Sequence, residues 1–81
     1  MEKKITDNMK MVYKIGKENA NFEGFKGAAG YADDIWRNMT EEQKKMFKSR
    51  KSISGLVSQL EKSGYVETYT AEGINWIEYL K

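Results

Sequence analysis

The sequence predicts a mainly α domain with a small β component: four or five helices and at most three short strands. Two observations carry this. Apolar residues recur at helical spacing in four separate stripes, and a β-branched and aromatic run follows Gly64. The 81 residues allow one domain, 1–81. A chain this short buries only about 60% of the surface its unfolded form exposes, so its core has to be compact.

In the first stripe, Ile5, Met9, Val12, Tyr13 and Gly16 share one helix face, which places helix one at about 5–19. Asn19 and Asn21 suit its end, because Asn tolerates the left-handed conformation. Residues 22–30 carry Gly24, Gly27 and Gly30 among Phe22 and Phe25. They read as a loop, or a short strand beside one, anchored in the core by the two rings. The glycine spacing does not match a phosphate-binding loop, and no Lys-Ser or Lys-Thr follows.

Ala28, Tyr31, Ala32, Ile35, Trp36 and Met39 give helix two at about 29–38. Thr40-Glu41-Glu42-Gln43 is a capping box, opening helix three at about 41–48 with Met46 and Phe47 buried. Helix four, 50–63, has Ile53, Leu56, Val57 and Leu60 on one face. Ser49 or Ser52 can cap it, and Ser63-Gly64 supplies a left-handed stop. Tyr65 to Tyr69 reads as a strand. The tail has two readings. Thr70 caps a last helix through Ile74, Ile77 and Leu80, or Ala71-Glu72-Gly73 turns a hairpin into a second strand over 74–80. The helix is the preferred one.

Composition excludes much chemistry. Without Cys there are no disulfides or zinc-finger frameworks, and without His the commonest general base and transition-metal ligand is missing. Asp33-Asp34 and Glu41-Glu42 are sequence neighbours that point about 100° apart on a helix, so they read as structural. No nucleophile–base pair stands out, and a non-enzyme without cofactor or metal is expected. No apolar run approaches the roughly 20 residues of a membrane span, and the N-terminus has no signal-peptide apolar run. A cytoplasmic protein without membrane contact is therefore expected. Trp36 and Trp76 lie on apolar stripes and read as core.

The net charge is only +2, but residues 44–51 hold Lys44, Lys45, Lys48, Arg50 and Lys51 with no acid between them. Such a block is a footprint for a polyanion, or a solvated face. On helix four, the face opposite the apolar stripe is Lys51, Gly55, Ser58 and Lys62. It is small and hydroxylic in the middle, with a cation at each end. A mid-helix Gly costs about 1 kcal/mol against Ala unless something approaches closely there. A low-profile polar face flanked by Lys suits a major groove, and the start of the helix offers hydroxyls, backbone donors and cations to phosphates.

Residues 49–66, Ser-Arg-Lys-Ser-Ile-Ser-Gly-Leu-Val-Ser-Gln-Leu-Glu-Lys-Ser-Gly-Tyr-Val, resemble the recognition helix and following strand of winged helix-turn-helix proteins. The multiple-antibiotic-resistance-regulator (MarR-type) group is the nearest pattern, and Tyr69-Thr70-Ala71-Glu72-Gly73 resembles the Leu-Thr-x-x-Gly opening of its final helix. The likeness covers about 49–73. It implies a winged-helix-like three-helix core plus extra helices. If 71–80 is helical, no residues remain for a two-stranded wing, so the wing is reduced or absent.

The resemblance implies a small DNA-binding regulator, of phage or mobile-element type, on double-stranded DNA. Lys51, Ser54, Gly55 and Ser58 would face bases, with Lys44, Lys48, Ser49, Arg50 and Lys62 on phosphates. Such proteins commonly act as homodimers, and helix one is a reasonable dimer element whose stripe is also needed for the core. The alternative is a protein-interaction module on the same scaffold. An exposed apolar patch around Tyr65, Tyr69 or Trp76 would favour it.

Overall fold

The computed structural model describes residues 5–81. The chain runs α1 (Asp7–Glu18), β1 (Phe22–Glu23), β2 (Ala28–Tyr31), α2 (Asp33–Arg37), α3 (Glu41–Phe47), α4 (Arg50–Lys62), β3 (Val66–Ala71) and β4 (Ile74–Tyr79). All four strands join one antiparallel sheet in the order β1-β2-β4-β3. The fold is therefore mixed α/β. This corrects the mainly α expectation with its three-strand ceiling and its reduced or absent wing.

Several elements lie where local chemistry puts them. The Thr6 hydroxyl accepts the Met9 N–H at 3.2 Å and starts α1, and the Thr40 hydroxyl accepts the Gln43 N–H at 3.2 Å and starts α3. Gly64, at φ +82°, closes α4. There the Tyr65 N–H bonds the Leu60 carbonyl at 3.0 Å and the Gly64 N–H bonds that of Glu61 at 3.1 Å. Asn19 caps α1 differently from expectation: its φ is −105°, and its side-chain amide donates to the Ile15 carbonyl at 2.8 Å.

Two segments change type. Residues 28–31, expected to open helix two, form β2, wedged between β1 and β4. Small residues in and just before the strand allow it: a Cβ on Gly27 would overlap the Tyr79 carbonyl, and one on Gly30 would lie 3.2 Å from the Ala20 Cα. The tail is a hairpin, not a helix. Glu72 (φ 55°) and Gly73 (φ 76°) make the two-residue turn, and Thr70 bonds Asn75 across it at 3.0 Å instead of capping a helix.

The core lies between the helices and the inner face of the sheet. Met9, Val12, Ile35, Met39, Phe47, Ile53, Leu60, Val66, Ile77 and Tyr79 form one buried cluster. Each such aliphatic side chain is worth about 1.5–3 kcal/mol when fully buried. Tyr79 packs against Gly16, where a Cβ would overlap its hydroxyl, and edge-on to Tyr13 at 5.6 Å. Burial pushes its phenol pKa up, with smaller contributions from Tyr13 and Asp34. Met46 is exposed, correcting its expected burial, while Phe47 is buried.

The outer face of the sheet is aromatic. The registers put Phe22, Tyr31, Tyr69 and Trp76 on one side, with Glu67 and Glu78 further along it. Phe22 lies edge-on to Tyr31 at 5.3 Å and to Trp76 at 5.1 Å. Phe22 and Phe25 are thus not core anchors: Phe22 is 44% exposed and Phe25 96%.

Candidate nucleic-acid interface

Helix α4 presents the face its sequence implies. Ile53 and Leu60 are buried, Leu56 and Val57 half-buried, and Lys51, Gly55, Ser58 and Lys62 are exposed together on the opposite side, with Ser54 exposed on the flank toward the hairpin. Nothing lies within 4 Å of a Cβ built on Gly55. The middle of the face is therefore open, and no packing constraint accounts for the glycine.

The start of α4 follows a tight turn. Lys48 sits at φ 62°, and the Ser49 N–H donates to the Phe47 carbonyl across it at 2.6 Å. A side chain held in this sparsely populated region costs roughly 1–3 kcal/mol. The turn leaves Lys48, Ser49, Arg50 and Lys51 exposed at the N-terminal end of the helix. Ser49 is the N-cap by position, and its hydroxyl makes no capping bond.

Two of the expected phosphate contacts are engaged elsewhere. Arg50 is ion-paired with Asp33 at the start of α2. Lys44 is half-buried on α3, over the Trp36 ring at 5.6 Å and 3.9 Å from Glu41. It does not share the α4 face. Lys48, Lys51 and Lys62 are in no ion pair among the described residues. The acidic pairs fit structural roles, since Asp33 holds Arg50, Asp34 lies 3.7 Å from Arg37, and Glu41 meets Lys44.

The hairpin adds a groove that sequence reasoning missed. Ser54, Val57 and Ile53 of α4 face Thr68, Thr70, Asn75 and Ile77 across a cleft of about 360 Å³. It continues past Ala32 to a second hollow walled by Asp33, Trp36, Arg50 and Lys51. The Glu61 carboxylate fixes the hairpin to α4, accepting from the Thr68 N–H at 2.9 Å and hydroxyl at 3.0 Å. The alternation of Thr68 and Thr70 about Tyr69 was the available signal for an inward-facing polar edge. The hairpin carries Glu67, Glu72 and Glu78 and no Lys or Arg, so it brings no cation to the groove.

Helix α1 spends its apolar stripe on the core, with Met9, Val12 and Gly16 buried. No helix among the described residues is long and apolar enough to cross a membrane. Among them, no cluster of three or more acidic side chains could hold a metal ion. Compared with protein-family models, curated proteins and solved structures, the chain matches none.

Proposed function

We propose that this protein binds double-stranded DNA, with the exposed face of α4 in the major groove, as a small cytoplasmic regulator of the phage or mobile-element kind. The observation that carries the reading is the open face at Gly55. Small and hydroxylic side chains flank it, Lys51 and Lys62 bracket it, and Lys48 lies at the helix start. A helix can bring such a face against base edges while its ends meet phosphates. The likeness of 49–66 to winged helix-turn-helix proteins supports it, and the β3–β4 hairpin follows α4 as a wing does in that family. With no cation on the hairpin, binding depends on α4 and its approach turn.

The test is a fluorescence-anisotropy titration of labelled duplex DNA with wild type and Gly55→Glu. The substitution adds bulk and negative charge without touching the core, so folding survives and binding is lost. If Lys48, Lys51 and Lys62 each neutralise one phosphate, log K falls against log[salt] with a slope of about −3 per monomer. No binding at low salt, or equal binding by Gly55→Glu, would overturn the reading.

A second reading has its own observation. The outer sheet face exposes apolar rings around Tyr69 and Trp76, which favours a protein-interaction role. The two roles use opposite sides of the molecule and can coexist.

A further inference from the structure

The outer face of the sheet carries a hollow of about 270 Å³ beside the hairpin turn. Three rings, Phe22, Tyr69 and Trp76, stand around it, and Phe22 lies edge-on to Trp76 at 5.1 Å. Ala29 and Ala71 lie between them and are too short to fill the space. Glu23 of β1 and Glu72 of the turn complete the lining, and both are exposed. The other acids of this face are engaged. Glu67 is 2.7 Å from the Lys26 ammonium, and the two Glu78 carboxylate oxygens accept the Phe25 and Lys26 N–H groups at 2.7 and 3.0 Å. Glu23 and Glu72 are in no ion pair among the described residues.

Rings flanked by unpaired carboxylates are complementary to a cation. The ring quadrupoles attract positive charge over their faces, and the carboxylates neutralise it. Arginine suits such a site best among side chains: its planar guanidinium stacks on a ring while its fork of N–H donors meets a carboxylate. Lys26 is held at Glu67 and does not supply the charge. Glu72 sits at φ 55°, which Asn, Asp or Gly adopts more readily, so the turn itself does not call for a glutamate. Phe25 stands 96% exposed on the loop that covers Glu78. Glu78 is two residues along β4 from Trp76, about 7 Å at 3.4 Å per residue. Same-side residues of an extended chain repeat at that spacing. A segment with Arg in the hollow therefore sets its next same-side residue beside Phe25, a ring that a small free cation leaves unused.

We propose that this hollow receives an arginine side chain from an extended segment of a partner protein, with an apolar residue two positions away resting on Phe25. The proposal rests on the protein-interaction reading of the outer face and gives the chemistry of the partner. Exposed cation–π contacts and ion pairs are individually weak, so a short peptide binds in the millimolar range and a full partner adds contacts around it.

The experiment is amide and indole chemical-shift mapping of the isotope-labelled 81-residue chain without DNA. The probe is the blocked peptide acetyl-Leu-Gly-Arg-Gly-Leu-amide, whose Leu residues on either side of Arg serve both chain directions. Shifts are expected at Glu23, Phe25, Ala71, Glu72 and the Trp76 indole, with α4 silent. The same peptide with citrulline keeps the shape and loses the charge, and it should bind about fivefold more weakly. Glu23→Gln combined with Glu72→Gln should weaken the Arg peptide about fivefold. Tyr69→Leu keeps the apolar area but removes the ring, and should weaken it about threefold. Circular dichroism verifies that both variants fold. No shifts with the Arg peptide, or a carboxylate variant that binds like wild type, would overturn the site. Equal binding by the citrulline peptide would also overturn it, while leaving the face an apolar protein contact. Methylguanidinium binding as tightly as the peptide would make the occupant a small free cation instead. Shifts in the hollow that depend on protein concentration, without peptide, would give it to a second copy. Because no DNA is present, failure here and failure of the α4 reading are separate outcomes.

Discussion

Gly55→Ala should move stability and DNA binding in opposite directions. Gly55 lies inside the 13-residue α4, and nothing approaches within 4 Å of where a methyl would go. The substitution therefore gains the full helix-propensity difference, about 0.8–1 kcal/mol, with no steric cost. Unfolding entropy of about 2.1 cal/mol/K per residue amounts to roughly 170 cal/mol/K for this chain, so Tm should rise by about 5 °C. The same methyl stands at the lowest point of the face proposed to meet base edges, and duplex affinity should fall about tenfold. Thermal melts by circular dichroism and an anisotropy titration of the same sample read both effects. An Ala variant that melts at or below wild type would show that Gly55 is not an unobstructed helix position. One that melts higher and binds equally well would remove DNA from this part of α4.

Gly16→Ala should behave oppositely in the melt. Its methyl would collide with the buried Tyr79 hydroxyl, and overpacking should cost about 1–3 kcal/mol despite the better helix propensity. Asp33→Asn releases Arg50 from its ion pair, so duplex binding should tighten and the salt slope steepen by about 1, read in the same titration. Tyr79 has a raised folded-state pKa. Its contribution to stability is complete below the unfolded phenol value of about 10 and is lost as pH rises beyond it, because the unfolded chain gives up that proton first. Urea melts on either side of that pH should show a shallower alkaline decline for Tyr79→Phe than for wild type.

What the sequence revealed was local. The Thr40 capping box, the Gly64 stop and the apolar stripe of α4 each act within a turn or two of chain, so their residues carry the whole signal. Strand β2 was hidden because Ala28, Tyr31, Ala32 and Ile35 satisfy helical spacing. Only pairing with β4, some fifty residues away, decides otherwise. The hairpin was obscured by its turn, since Glu72 takes a positive φ that Asn or Asp adopts more readily before Gly.

At the candidate site, the α4 face was legible from periodicity, but charge availability was not. Nothing local to Arg50 announces Asp33, whereas the three-residue spacing of Glu41 and Lys44 did offer a clue to that pair. The aromatic rings were misjudged because two backbone N–H bonds to Glu78, not hydrophobicity, hold Phe25 in solvent.

Amide chemical-shift mapping during titration of the isotope-labelled chain with duplex DNA tests the role of α4 most directly. Binding through α4 places the largest perturbations at Lys48, Ser49, Lys51, Ser54, Gly55 and Ser58, with smaller ones at Thr68, Thr70 and Asn75 across the groove. Phe22, Tyr31 and Ala71 on the outer sheet face stay where they were. Perturbations centred on those sheet residues with α4 silent, or none at all at low salt, would contradict DNA recognition by this helix.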